Sequence, residues 1–179
     1  LGVDVGLMGI VGKDSNAILV KNLLGSLSIK THLIRSIDKP TINKIRISAN
    51  NHQMMRLDIE ERFDRSSACE MESLFNEEVD GYDVVIFSDY AKGTLVGISS
   101  LISISNKHSK ISIVDPKGDD FRRYSGASFV TPNLKEFVAI AGQTDDDSLE
   151  VVALNLCEKY SIESILVTKS EKGMALYST

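Results

Sequence analysis

Tryptophan is absent from the chain, and 179 residues contain only three prolines and two cysteines. Cys69 and Cys157 lie far apart on separate predicted helices, so no disulfide framework is expected, and a reducing cytoplasm fits them. No apolar run reaches the roughly 18–20 residues needed to span a bilayer. The opening LGVDVGLMGIVG has no basic region of the kind that begins a secretory signal. Basic residues are the minority, with 20 Lys and Arg against 25 Asp and Glu. A nucleic-acid binder would carry a basic face instead. His32, His52 and His108 show no metal-ligand spacing and read as solvated surface, so no zinc motif is expected. Also missing are G-x-x-x-x-G-K-[ST], G-x-G-x-x-G and G-x-S-x-G. Any nucleotide must therefore be held by another scheme.

What is present is ordinary globular composition, 42% hydrophobic and 25% charged. Strands alternate with helices, the pattern of a mostly parallel α/β sheet with crossover helices. Val3 to Ile10 reads as a strand, Ser15 to Leu24 as a helix closed by Gly25, and Ile29 to Arg35 as a strand. Residues 41–49 and 53–60 then alternate with period two around Asn50-Asn51-His52, which predicts a β-hairpin. Ile45, Ile47, Met55, Leu57 and Ile59 form its apolar side, and Lys44, Arg46, Arg56, Asp58 and Glu60 its charged side. Beyond it the α/β rhythm resumes. Helices are expected over 66–79, 95–107, 133–141 and 149–160, and strands over 83–88, 111–114, 127–130, 164–167 and 174–177. The run DVVIFS (83–88) has the texture of a strand buried on both faces. The chain enters its first strand without a turn and stops directly after ALYST, as a piece of a longer domain would.

Ligands of open α/β sheets bind beyond the carboxyl ends of the strands. Four successive strands are followed there by polar loops: Asp89-Tyr90-Ala91-Lys92-Gly93, Asp115-Pro116-Lys117-Gly118, Thr131-Pro132-Asn133-Leu134-Lys135-Glu136 and Thr168-Lys169-Ser170-Glu171-Lys172-Gly173. One such loop is ordinary turn chemistry. Four on one rim point to an anion, with lysines as point charges and glycines permitting close backbone approach. Asn133 and Glu136 have capping-box spacing, so the pattern alone reads first as a helix start, with a ligand role as the alternative. Asp89 and Asp115 suit either loop caps or water-mediated Mg²⁺. Lys92 and Lys117 follow neighbouring strands, from which their ammonium groups are expected to reach one cleft.

Taken in order, GIVGKD (9–14), SDYAKG (88–93), DPKG (115–118), TPNLKE (131–136) and VTKSEKGM (167–174) resemble the ribokinase/PfkB family of carbohydrate kinases over the whole chain. Within it the hairpin PTINKIRISANNHQMMRLDIEE (40–61) is similar to the lid of its heptose-7-phosphate kinases. The resemblance implies a ribokinase-like fold, with a mostly parallel sheet, flanking helices and a small β lid at about 41–60. It also implies ATP- and Mg²⁺-dependent phosphorylation of D-glycero-D-manno-heptose 7-phosphate at C1, for lipopolysaccharide core synthesis in the cytoplasm. Asn133, Leu134, Lys135, Glu136, Thr168, Lys169, Ser170 and Gly173 are then expected on the ATP·Mg side, with no direct protein ligand to the metal. Lys92, Lys117, Asp89, Arg56 and Asp58 are expected on the sugar-phosphate side, and a homodimer through the lid. The family's Gly-rich sugar-binding stretch and its G-A-G-D motif, whose Asp is the general base, do not occur in the sequence. The resemblance places that base beyond Thr179, so this piece alone is expected to be inactive. Another PfkB-type sugar kinase and a non-catalytic α/β binding module are the competing readings.

Overall fold

A computed structural model describes residues 2–63, 65–142 and 148–179. The chain divides into two compact units, residues 1–74 with 92–94, and residues 75–91 with 95–179.

In the first unit, strand β1 (Gly6–Val11) pairs in parallel with β2 (Lys30–Arg35), and helix α1 (Ser15–Ser26) connects them. Asp14 caps α1 by accepting from the Ala17 amide at 2.9 Å, which satisfies an otherwise orphaned helix donor. The same carboxylate accepts from the Thr41 amide and hydroxyl, both at 2.7 Å. Those bonds, the Thr41 amide first, hold it below the usual carboxylate range. The Gly12 amide donates to the Thr41 hydroxyl at 2.8 Å. A Cβ on Gly12 would lie 2.6 Å from the Thr41 nitrogen, so only glycine fits this knot at the root of the hairpin.

Gly25 does not close α1, contrary to the sequence reading. The helix runs to Ser26, and Ser28 takes the left-handed conformation at φ 57°. The Ile29 amide bonds the Leu24 carbonyl and the Ser28 amide bonds the Gly25 carbonyl, the paired closure of a Schellman motif. Strands β3 (Asn43–Ala49) and β4 (His52–Ile59) form the expected antiparallel hairpin. Asn50 and Asn51, at φ 50° and 63°, make its two-residue turn, as a right-twisted hairpin requires. A register shift between Ile47 and Ser48 interrupts the ladder.

Helix α2 (Arg65–Glu78) leads into the second unit. There β5 (Val84–Ser88), β6 (Ile111–Asp115), β7 (Phe129–Val130), β8 (Ser164–Thr168) and β9 (Met174–Ser178) form one sheet in that order. The first four strands are parallel and β9 is antiparallel. Helices α3 (Ile98–Lys107), α4 (Leu134–Ala141) and α5 (Leu149–Tyr160) pack against β6, β8 and β9. Phe87, Val114, Val130, Ile165 and Val167 share one face of the sheet and are buried, joined in the core by Phe121, Tyr124, Phe137 and Ile102. Each fully buried side chain of this size contributes about 1.5–3 kcal/mol. The expectation that 83–88 is buried on both faces is overturned. Val84 and Ile86 lie on the other face and are exposed, Ile86 at 70%, because among the described residues that face of β5 is left uncovered.

Two histidines also depart from the sequence reading. His32 is buried on β2. His108 is mostly covered, with its ring nitrogens 2.8 Å from Asp80 Oδ1 and 3.3 Å from Asn76 Oδ1. Cys69 is exposed and Cys157 buried, both as free thiols. Among the described residues no helix is long and apolar enough to cross a membrane.

Candidate active site

The carboxyl ends of β5, β6, β7 and β8 converge on one cleft of about 410 Å³, lined by Asp89, Tyr90, Asp115, Pro116, Lys117, Thr131, Asn133, Glu136 and Thr168. Backbone bonds bring the four loops together. The Asp89 amide donates to the Asp115 carbonyl at 3.0 Å, the Thr131 amide to Val114 at 2.8 Å, and the Thr168 amide to Pro132 at 3.0 Å. Of the residues expected on the ATP side, Asn133, Glu136 and Thr168 line this cleft; of those expected on the sugar side, Asp89 and Lys117 do.

Asn133 and Glu136 make a complete capping box at the start of α4. Asn133 Oδ1 accepts from the Glu136 amide at 3.0 Å, and Glu136 Oε2 accepts from the Asn133 amide at 3.1 Å. Glu136 Oε1 is left to accept from Lys117 Nζ at 3.3 Å. The cap orients the carboxylate, and the helix N-terminus favours negative charge in front of it. Capping and ligand binding are therefore compatible roles here. Lys117 stays half exposed and projects the cleft's ammonium group.

Asp89 is buried, and three donors hold it. Its Oδ1 accepts from the Ala91 amide at 2.8 Å, and its Oδ2 lies 3.0 Å from Tyr124 Oη and 3.1 Å from Arg123 Nη1. Arg123 also donates to the Leu95 carbonyl at 3.0 Å. Partial burial, then the charge of Glu136 and more weakly that of Asp89, pushes the Asp115 carboxyl above its ordinary value; a bond from Ser88 and the charge of Lys117 oppose them. The cleft thus concentrates three carboxylates, a field that a cation would relieve.

Arg123 and Tyr124 were not singled out by sequence reasoning. They sit on a short 3₁₀ turn, Phe121–Tyr124, and reach the rim only through tertiary approach. The one available signal was DDFRRY directly after DPKG, a basic and aromatic cluster in an otherwise polar connection. The loop at 169–173 is closed by Lys169 N donating to the Gly173 carbonyl at 2.8 Å, with Ser170 at φ 52°.

The remaining sugar-side residues belong to the first unit. Lys92 pairs with Glu60. Lys44 bridges Asp58 at 3.2 Å and Glu60 at 3.0 Å, and Arg56 grips Asp58 through Nε and Nη2, both at 2.7 Å. Arg56 first, then Lys44, lowers Asp58 to about 2. Gly93, at φ 98°, is required because a Cβ there would lie 2.4 Å from the Phe63 carbonyl oxygen. Its close approach serves the backbone, where a ligand was expected.

The model of the pfkB family of carbohydrate kinases matches residues 1–179. Bifunctional protein HldE of Actinobacillus pleuropneumoniae serotype 5b (strain L20) is 38% identical over 98% of this chain and 37% of its own length. The protein of that name from Shewanella baltica (strain OS155) is 39% identical over 100% of this chain and 38% of its own. The chain thus spans little more than a third of these curated relatives. Among solved structures, ribokinase from Giardia lamblia superposes with a TM-score of 0.73 at 17% identity, covering 97% of this chain and 55% of that one. Phosphofructokinase-2 from Escherichia coli in complex with fructose-6-phosphate gives 0.76 at 15% identity, covering 100% and 61%.

Proposed function

The chain belongs to the pfkB family of carbohydrate kinases, with a ribokinase-like α/β fold, and on that premise we propose that the complete protein transfers the γ-phosphoryl group of ATP to the C1 hydroxyl of D-glycero-D-manno-heptose 7-phosphate, in the cytoplasm. The observation that carries this reading is the convergence of four strand-end loops, with their Lys, Asn, Thr and acidic groups, on a single cleft. The heptose substrate rests further on the 38–39% identity to HldE proteins and on the hairpin.

Phosphoryl transfer asks a protein chiefly for positioning and charge stabilisation. In this reading Thr168 and Asn133, with the loop 169–173 and with Leu134 and Lys135 on the first turn of α4, hold the nucleotide phosphates. Lys117 supplies positive charge toward them. Mg²⁺ bound with the nucleotide would neutralise phosphate charge. Asp115 and Glu136, both lining the cleft, fit it through water, because Mg²⁺ keeps several waters and takes few protein carboxylates. Lys92, Arg56 and Asp58 are assigned to the sugar phosphate, Asp89 to the shape of the cleft. The proton acceptor is assigned to the G-A-G-D motif of the family. The exposed apolar side of the hairpin, Ile45, Ile47, Met55, Leu57 and Ile59, supports a homodimer. Leu57→Asp is expected to convert dimer to monomer in sedimentation; an unchanged dimer removes the hairpin from the interface.

The test is ³¹P NMR of the complete protein with ATP and Mg²⁺, offered heptose 7-phosphate, fructose 6-phosphate and ribose in parallel. A new phosphate resonance with heptose 7-phosphate and little with the others is expected. Preference for fructose 6-phosphate or ribose would assign it to another kinase of the family. Transfer to none would leave a non-catalytic module.

A further inference from the structure

Tyr124 lies outside the lining of the cleft, yet it joins two of the loops that form it. Its side chain is fully buried, with the ring edge-on to Phe121 at 5.9 Å. At the inner end its hydroxyl accepts from the Lys117 amide at 3.0 Å. The same oxygen lies within donating distance of Asp89 Oδ2, at 3.0 Å, and of the Lys117 carbonyl, at 3.1 Å. One phenol therefore spans the loop after β5 and the loop after β6. Arg123, the preceding residue, neutralises the same Asp89 oxygen and stacks over the Tyr124 ring at 5.6 Å.

This connection solves a specific problem. Pro116 and Gly118 flank Lys117, and Gly118 takes φ 89° with nothing within 4 Å of where its Cβ would be. Nothing in that geometry fixes the loop from the solvent side. Both backbone polar groups of Lys117 turn inward to the Tyr124 hydroxyl, so the side chain points out toward Glu136. We propose that Tyr124 is a positioning residue of the kinase cleft, acting through the backbone of Lys117 to aim its ammonium group at the transferring phosphate. Burial first, then the nearby Asp89 charge, pushes the phenol up to about 12, so it stays protonated and keeps its donor at working pH. Tyr124 touches no ligand itself. A bare phenylalanine would fill the same space and lose both connections.

The kinetic part rests on the kinase reading, so the test has two independent arms. In the first, amide hydrogen exchange is followed in the complete protein and in Tyr124→Phe. The Lys117 and Ala91 amides are expected to exchange at least about tenfold faster in the variant, with the Val114 and Ile165 amides unchanged. Equal exchange at Lys117 would overturn the clamp whatever the protein catalyses. In the second, Tyr124→Phe is expected to lower kcat/KM by about tenfold to a hundredfold, the range for losing a bond in a charged network, through kcat, with the KM for the sugar substrate nearly unchanged. In a Lys117→Ala background the same substitution should change kcat/KM by less than about twofold, since no ammonium remains to aim. A merely structural role predicts a lower Tm and effects that multiply in the double variant, and that result overturns the proposal. If the wild-type protein phosphorylates no sugar, the kinase reading fails and the exchange arm still decides whether the clamp exists.

Discussion

At the hairpin, Arg56, Asp58, Lys44 and Glu60, extended by Lys92 from the loop after β5, form an alternating ladder in which each charge meets its opposite. In the strand-end cleft, Asp89, Asp115 and Glu136 crowd together, with Lys117 half exposed among them and Arg123 committed to Asp89. The acids report the difference directly. Asp58 and Glu60 are held below their ordinary values by hydrogen-bonded cations, whereas Asp115 is pushed above its own by burial and by Glu136. Charges that all have partners stiffen a two-stranded element that has little core of its own. Charge left in excess belongs to a site that something else completes. The ladder also means that a sugar phosphate arriving at Lys92 or Arg56 must replace an existing partner.

The largest expected effect separates the two regions by stability. Phe137 is fully buried on α4, one turn from the capping box. Phe137→Ala should cost about 3–5 kcal/mol, and chemical denaturation of the second unit checks it. A loss under 1 kcal/mol would show that the cleft does not depend on this core. Next, Lys117→Ala in the complete protein should weaken kcat/KM by about 1.5–3 kcal/mol, the range for a hydrogen bond to a charged group. Lys92→Ala should act on the KM for the sugar phosphate, and Arg56→Ala should do so more weakly, because its exposed pair with Asp58 is worth little. Kinetics in which both lysine variants match wild type would remove the rim lysines from the mechanism.

Much of this contrast was readable in the chain. Alternating apolar and charged residues over 41–49 and 53–60 marked both strands, because a two-sided antiparallel pair imposes period two. Asn133 and Glu136 announced the helix start that the structure shows, since the cap is a local bond. Other features needed neighbours distant in sequence. The apolar run 84–88 cannot say whether both faces of its strand are covered, so the exposure of Ile86 was invisible. Ser28 closes α1 where glycine was expected, because a Schellman turn needs a left-handed residue and tolerates serine there. His32 and His108 are covered by tertiary packing that no spacing reveals. Arg123 and Tyr124 serve the cleft from a turn whose sequence looks like a connector.

Smaller effects sharpen the comparison. Asn133→Ala should lose about 1 kcal/mol of stability through the cap and also weaken nucleotide binding; loss of stability alone would reduce Asn133 to a cap. The smallest effects should have opposite signs. Asp58 ionises at about 2 against an ordinary 3.8, so the fold binds fewer protons there. Its contribution is complete above about pH 4 and is lost as pH falls toward 2. Asp115 is raised, so its neutral form is favoured in the fold, and its contribution fades as pH rises through the raised value. At pH 7, Asp58→Asn should therefore lower Tm slightly and Asp115→Asn raise it. Shifts of the same sign in a thermal scan would break the comparison.

The central claim is that the nucleotide phosphates bind together with Mg²⁺ at the strand-end cleft, the cation offsetting the excess of carboxylates there. Titrating the complete protein with a non-hydrolysable ATP analogue and Mg²⁺, while following backbone amide resonances, tests it most directly. The account predicts saturable shifts at Lys117, Asn133, Glu136 and Thr168, with Lys44, Arg56 and Asp58 unmoved. Shifts concentrated on the hairpin, with the strand-end loops silent, would contradict it.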